Sequence, residues 1–173
     1  MKYLRTAFLP FLLSISLPCL SQMSAAAGLT YGTDFDQPGI YVKGRYLTGD
    51  RFAISLVLNR FFNHRQKVGT ANIQTQLSFL NINVEYAVTR GKLEVYPIAG
   101  LCLGSKKTSF QEEGYEKLND QEPNIGFNAG LGGLFRISKR WSISIEPVYS
   151  YAIWGSVDQL GIHSSIVWHF QKK

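Results

Sequence analysis

Leu160-Gly161-Ile162-His163-Ser164-Ser165-Ile166-Val167-Trp168-His169-Phe170 alternates with a period of two. Leu160, Ile162, Ser164, Ile166, Trp168 and Phe170 fall on one face, and His163, Ser165 and His169 on the other. An almost wholly apolar face that closes on two aromatics, backed by a polar face, is what a strand needs when lipid touches one side and a wet lumen the other.

The same alternation recurs upstream. It predicts strands at 29–33, 39–47, 51–62, 72–88, 92–104, 124–137 and 141–153, with 159–170 as the eighth. No mature segment carries helical spacing, and no apolar run approaches the roughly 18 residues that a spanning helix requires. The connections alternate too. Thr48-Gly49-Asp50, Thr89-Arg90-Gly91 and Ser138-Lys139-Arg140 read as tight hairpin turns. The segments 34–38, 63–71, 105–123 and 154–158 read as longer loops. In outer-membrane barrels the short turns face the periplasm and the long loops face outward, so this parity assigns a side to each. Segment 105–123 holds Lys106, Lys107, Glu112, Glu113, Glu116, Lys117, Asp120 and Glu122 with few apolar anchors, and is expected to be a mobile surface loop.

The N-terminus reads as a secretory leader. Lys2 and Arg5 give a basic start, 7–20 an apolar stretch broken by Pro10 and Pro18, and Ala25-Ala26-Ala27 a small-residue site, which predicts cleavage near Ala27. Cys19 offers a lipidation alternative, disfavoured by Pro18 before it. Removing residues 1–27 leaves 146 of the 173 residues as one domain, 28–173. The net charge of +6 for the full chain falls to +4, scattered along the sequence rather than gathered into a nucleic-acid-binding stripe. Only Cys102 remains, which excludes an intramolecular disulfide in an exported protein.

Alternation alone also fits a soluble barrel whose apolar face points inward. Volume decides between them. Phe52, Ile54, Leu56 and Leu58, then Leu80, Ile82, Val84, Tyr86 and Val88, and the matching residues of the later strands, put about thirty large apolar groups on one face. The interior of an eight-stranded barrel is only just wide enough for side chains to fill, so these groups face lipid. The other face carries Lys43, Arg45, Ser55, Asn59, Asn81, Asn83, Glu85, Glu94, Asn128, Arg136, Ser144, Glu146 and His163, interleaved with Gly100, Gly126, Gly130 and Gly132. Lys43, Arg45 and Arg136 are expected to pair with Glu85, Glu94 and Glu146, because buried charge is tolerated only when paired and hydrogen-bonded. Tyr46, Phe61, Phe62, Trp141, Tyr151, Trp154, Trp168 and Phe170 sit near strand ends, where interfacial girdles belong.

The glycine-rich segment Ile125-Gly126-Phe127-Asn128-Ala129-Gly130-Leu131-Gly132-Gly133-Leu134-Phe135, the segment Ile143-Ser144-Ile145-Glu146-Pro147-Val148-Tyr149-Ser150-Tyr151 and the last strand resemble the small eight-stranded outer-membrane barrels, the porin-family or OmpA-type β-barrel domain. The resemblance spans the mature chain. It implies an all-β, eight-stranded antiparallel up-and-down transmembrane barrel in the outer membrane of a Gram-negative bacterium, with outer-membrane lipids and the barrel-insertion machinery as partners. One departure is that Gln171-Lys172-Lys173 follows Phe170, where the family usually ends on the aromatic residue.

Candidate chemistry is sparse. His163 and Ser165 share a face, and hairpin pairing brings Glu146 near them, a trio that could activate a serine for ester cleavage. Outer-membrane lipid A deacylases also carry a His-x-Ser pair on a barrel. The expected facing puts this trio in the lumen, away from acyl chains, which favours an ordinary polar network. His64, His163 and His169 share no metal-ligand spacing with Cys102, the glycines lack a strand-to-helix phosphate context, and no cofactor is implied. Cys102 reads as a small lumen filler. The reading is therefore a filled, non-catalytic barrel acting through its outer loops, with a narrow pore and a lipid-modifying enzyme as alternatives. The turns and tail assigned to the periplasm hold Asp50, Arg51, Arg90, Lys92, Lys139, Arg140, Lys172 and Lys173, a basic rim expected at anionic headgroups.

Overall fold

The computed structural model describes residues 22–34, 36–68, 71–111, 118–155 and 157–170. Nine strands form in chain order: β1 (Met23–Gly32), β2 (Gln37–Leu47), β3 (Phe52–Phe61), β4 (His64–Val68), β5 (Ala71–Tyr86), β6 (Leu93–Gln111), β7 (Leu118–Arg136), β8 (Trp141–Trp154) and β9 (Gln159–His169). All pairings are antiparallel, β1 meets β9, and β3 meets β5, which closes the sheet into a barrel. β3 and β4 act as one interrupted stave, since both pair with β5, at Arg60↔Ser78 and His64↔Thr75. The closed barrel therefore has eight staves and no free edge through its membrane-facing height.

Alternation sorts the side chains as the volume argument requires. Phe52, Ile54, Leu56 and Leu58 point out of the barrel, as do Ile82, Val84, Leu101, Phe127, Leu131, Ile145 and Ile166. The intervening positions are buried, Ala53, Ser55, Val57 and Asn59 on β3 and Ser142, Ser144, Glu146 and Val148 on β8. Trp141 and Trp168 meet edge to face at 4.4 Å on the outside near the turn end, a girdle contact. Phe61 departs from the girdle expectation. It lies in the lumen against Phe79, ring centroids 6.1 Å apart, because its parity on β3 is inward.

Three boundaries differ from the sequence reading. β1 starts at Met23 rather than near Leu29, and Ala25, Ala26 and Ala27 pair with Trp168, Val167 and Ile166 of β9. A cut after Ala27 would remove half of the strand that closes the barrel; residues 1–21 of the expected leader lie outside the described residues. Segment 63–71 contains β4 rather than a loop. Segment 105–123 is mostly a continuation of β6 and β7, with Lys106↔Glu122 and Thr108↔Asp120 in register, and its residues 112–117 lie outside the described residues. Cross-strand pairs of opposite charge support a ribbon even where both faces are wet. The parity of sides is unchanged: the connections 48–51, 87–92 and 137–140 share one end with Met23 and Phe170, whose backbones bond to each other at 3.0 Å.

Candidate functional site: the charged lumen

β2 delivers Tyr41, Lys43 and Arg45 inward at successive alternate positions, β5 delivers Glu85, β6 delivers Glu94 and Tyr96, and β8 delivers Glu146. Lys43 Nζ lies 2.6 Å from Glu85 Oε1 and 2.8 Å from Glu146 Oε1. Arg45 spans two carboxylates, Nε to Glu85 Oε2 and Nη2 to Glu94 Oε1, each at 2.7 Å. Ser55 donates to Glu85 Oε1 at 2.6 Å. Glu146 accepts in addition from Tyr41 at 2.9 Å and from Tyr96 at 2.7 Å. The Tyr96 ring lies under both cations, 5.3 Å from Lys43 Nζ and 4.9 Å from Arg45 Cζ. Its edge passes over Gly132, its register partner on β7, where an added Cβ would come within 2.1 Å of the ring.

Five of the six charged residues singled out from the sequence thus form one buried network. The sixth, Arg136, sits at its rim: its side chain is 49% exposed and its contact to Glu94 Oε2 is 3.4 Å. It is the last residue of β7, so its guanidinium sits at the mouth of the lumen rather than within the buried layer. Sequence reading missed Tyr41 and Tyr96. Their inward parity on strands already carrying Lys43, Arg45 and Glu94 was the signal that could have found them.

The trio His163, Ser165 and Glu146 is distributed among other partners. Glu146 is the register partner of His163, but His163 Nδ1 pairs with Thr30 Oγ1 at 2.8 Å and its ring stacks on Tyr41, centroids 4.8 Å apart. Ser165 Oγ pairs with Ser144 Oγ at 2.7 Å. No hydrogen bond among the described residues links the three. Cys102 is buried in the lumen with Phe61, Leu77, Phe79 and Val157, toward the loop end.

A closed antiparallel barrel with an unbroken outward apolar belt and its charges inside is built for a bilayer. No protein-family model matches the chain, and no curated protein matches it. Solved structures do. Ail, the attachment invasion locus protein of Yersinia pestis, superposes with a TM-score of 0.60 at 13% identity, over 85% of this chain and 95% of that one. A major outer membrane protein of Thermus thermophilus gives 0.67 at 9% identity, over 84% and 97%. The fold is the small eight-stranded outer-membrane barrel. Neisserial surface protein A adds a TM-score of 0.58 at 13% identity, over 86% and 95%. Outer-membrane barrels thus share this chain's architecture while sharing few of its residues.

Proposed function

We propose that this protein is a non-catalytic outer-membrane barrel, sealed by its lumen network, whose work is done at the loop end. One observation carries the reading: all six carboxylate oxygens of Glu85, Glu94 and Glu146 receive a donor from within the barrel. A general base or nucleophile needs a lone pair directed at a substrate, and every one of these oxygens is already turned to a structural donor. The hydroxyl of Ser165 and Nδ1 of His163 are likewise engaged in the lumen, remote from any acyl chain in the bilayer. Beyond the membrane the paired arms of β6 and β7 present Lys106, Lys107, Asp120 and Glu122 on both faces of a ribbon, a surface suited to polar partners. The names of two neighbours, an attachment protein and a surface protein, point the same way. Insertion by the barrel-assembly machinery is supported by the apolar, aromatic-ended β9, which is also the closing strand.

Two measurements on one strain pair test it. Lipid A from cells with and without the protein should have identical acyl composition by mass spectrometry. Shortening the β6–β7 ribbon at Lys106 and Glu122 should leave a folded, heat-modifiable barrel that has lost whatever adhesion or surface phenotype the intact protein confers. A change in lipid A, or a surface phenotype indifferent to the ribbon, would overturn the reading.

A further inference from the structure

Among the described residues the turn end of the barrel leaves a hollow. A cavity of about 560 Å³ opens there, within the size range of small-molecule sites. Its floor is the Arg45–Glu94 pair, and Arg136, Lys92, Lys139 and His169 line it above. Beyond this floor the space between Lys43, Tyr96 and Glu146 shrinks to about 10 Å³, room for about one water, so the cavity is a blind vestibule.

Its charge is lopsided. Glu94 is the acid of the lining, and both its oxygens are taken, by Arg45 and by Arg136. Arg45 is spent on Glu85 and Glu94. Among the described residues the Arg136 guanidinium makes one hydrogen bond, the 3.4 Å one to Glu94, and a guanidinium has five N–H donors, so most of its fork has no partner among them. Lys139 is exposed in the turn after β7, and Lys92 lies at the rim with its ammonium 5.2 Å from the Phe135 ring centroid. Lys92 thus turns its ammonium toward the outward face, while Arg136 and Lys139 line a concave mouth whose walls concentrate their field. A planar fork with a lysine ammonium in the same lining matches a phosphate group, which accepts bidentate hydrogen bonds while neutralising the neighbouring charge.

We infer that this vestibule is an anion site for a phosphate group, held between Arg136 and Lys139 over the Arg45–Glu94 floor. The group can belong to a lipid headgroup at the membrane surface or to a soluble phosphorylated compound, since the mouth opens at headgroup level. The inference stands on the cavity and its charges and holds whichever side of the membrane the turn end faces.

The test uses the full processed protein, folded in a phosphate-free maltoside detergent, titrated separately with inorganic pyrophosphate and with a short-chain phosphatidylglycerol, and with an uncharged short-chain diacylglycerol as reference. Saturable binding of either phosphate probe, weakened at least about tenfold by Arg136→Gln combined with Lys139→Gln, is the expected result. Arg65→Gln with Lys67→Gln on β4, at the opposite end, should leave it unchanged. Lys139→Gln alone and Ser138→Glu, both in an exposed turn, keep the test open if the double variant folds poorly; each should weaken binding and Ser138→Glu the more, because it adds a like charge to the ligand's. Preference for phosphatidylglycerol assigns the lipid source, and preference for pyrophosphate the soluble one. Absence of saturable binding, binding equal to that of the uncharged lipid, or equal weakening by the Arg65/Lys67 control would overturn the site.

Discussion

The two halves of the lumen solve the same burial problem differently. Toward the turns, the charged layer of Lys43, Arg45, Glu85, Glu94 and Glu146 leaves no carboxylate oxygen without a donor. Toward the loops, the polar residues are amides, and the side-chain oxygens of Gln37, Asn59, Asn81, Asn83, Asn124, Asn128 and Gln159 have no protein partner among the described residues. Ion burial explains the contrast. An unpaired charge in a low-dielectric interior costs far more than an unpaired amide, which a single trapped water can satisfy. A cavity of about 10 Å³ between Asn59, Gln159 and His163 is about the size that one such water needs. The charged layer is therefore rigidly specified and the amide layer is tolerant, with the Phe61–Phe79 cluster capping the latter.

Breaking the charged layer should produce the largest effects. Glu85→Ala takes from Lys43 and from Arg45 one of the two carboxylates that each holds in a buried site, leaving Glu146 and Glu94, and should cost about 3 kcal/mol in equilibrium unfolding in detergent. Glu146→Ala should fall in the same range, and Glu94→Ala below it, because Arg136 can turn to solvent. Equal, small shifts for all three would mean that the layer is hydrated. Next comes the packing under the network. Gly132→Ala drives a methyl into the Tyr96 ring and should destabilise by about 1–3 kcal/mol, with Tyr96→Leu in the same chain restoring part of the loss. A neutral Gly132→Ala would show that Tyr96 has freedom to move. In the tolerant half, Asn81→Leu replaces an amide whose oxygen lacks a protein partner by a group of similar volume, so its cost should stay within about 1 kcal/mol. A loss as large as that of Glu85→Ala would erase the distinction between the halves. The smallest effect belongs outside the membrane, where Lys106 and Glu122 pair at 3.7 Å in partial exposure: Lys106→Ala should change stability by less than about 1 kcal/mol.

The same contrast explains what was legible in the sequence. Between lipid and lumen every second residue is constrained, so β2, β3, β8 and β9 stand where the period of two puts them, to within two residues. Where both faces meet water the constraint vanishes, and β4 and the outer arms of β6 and β7 looked like loops because Gln66, Lys67, Lys106 and Asp120 obey no alternation. β1 was cut short for a different reason: Ala25-Ala26-Ala27 is small enough to serve as a protease site and also as strand, and composition cannot separate the two. The charged residues of the lumen were visible individually, since a charge at an inward position demands a partner. Their individual pairing was not, because it depends on stagger between strands, which brings Arg45 to Glu85 and Glu94 and Lys43 to Glu85 and Glu146. Tyr41 and Tyr96 were hidden by chemistry, as a tyrosine is at home on either face.

Whether the lumen is sealed can be read from its electrical conductance. Purified, folded protein inserted into a planar bilayer at neutral pH should show no sustained single-channel current, because the ion-paired layer and the aromatic cap both block the lumen. A stable open level in the unmodified protein, reproducible across insertions and proportional to ion concentration, would contradict the account and make the barrel a pore.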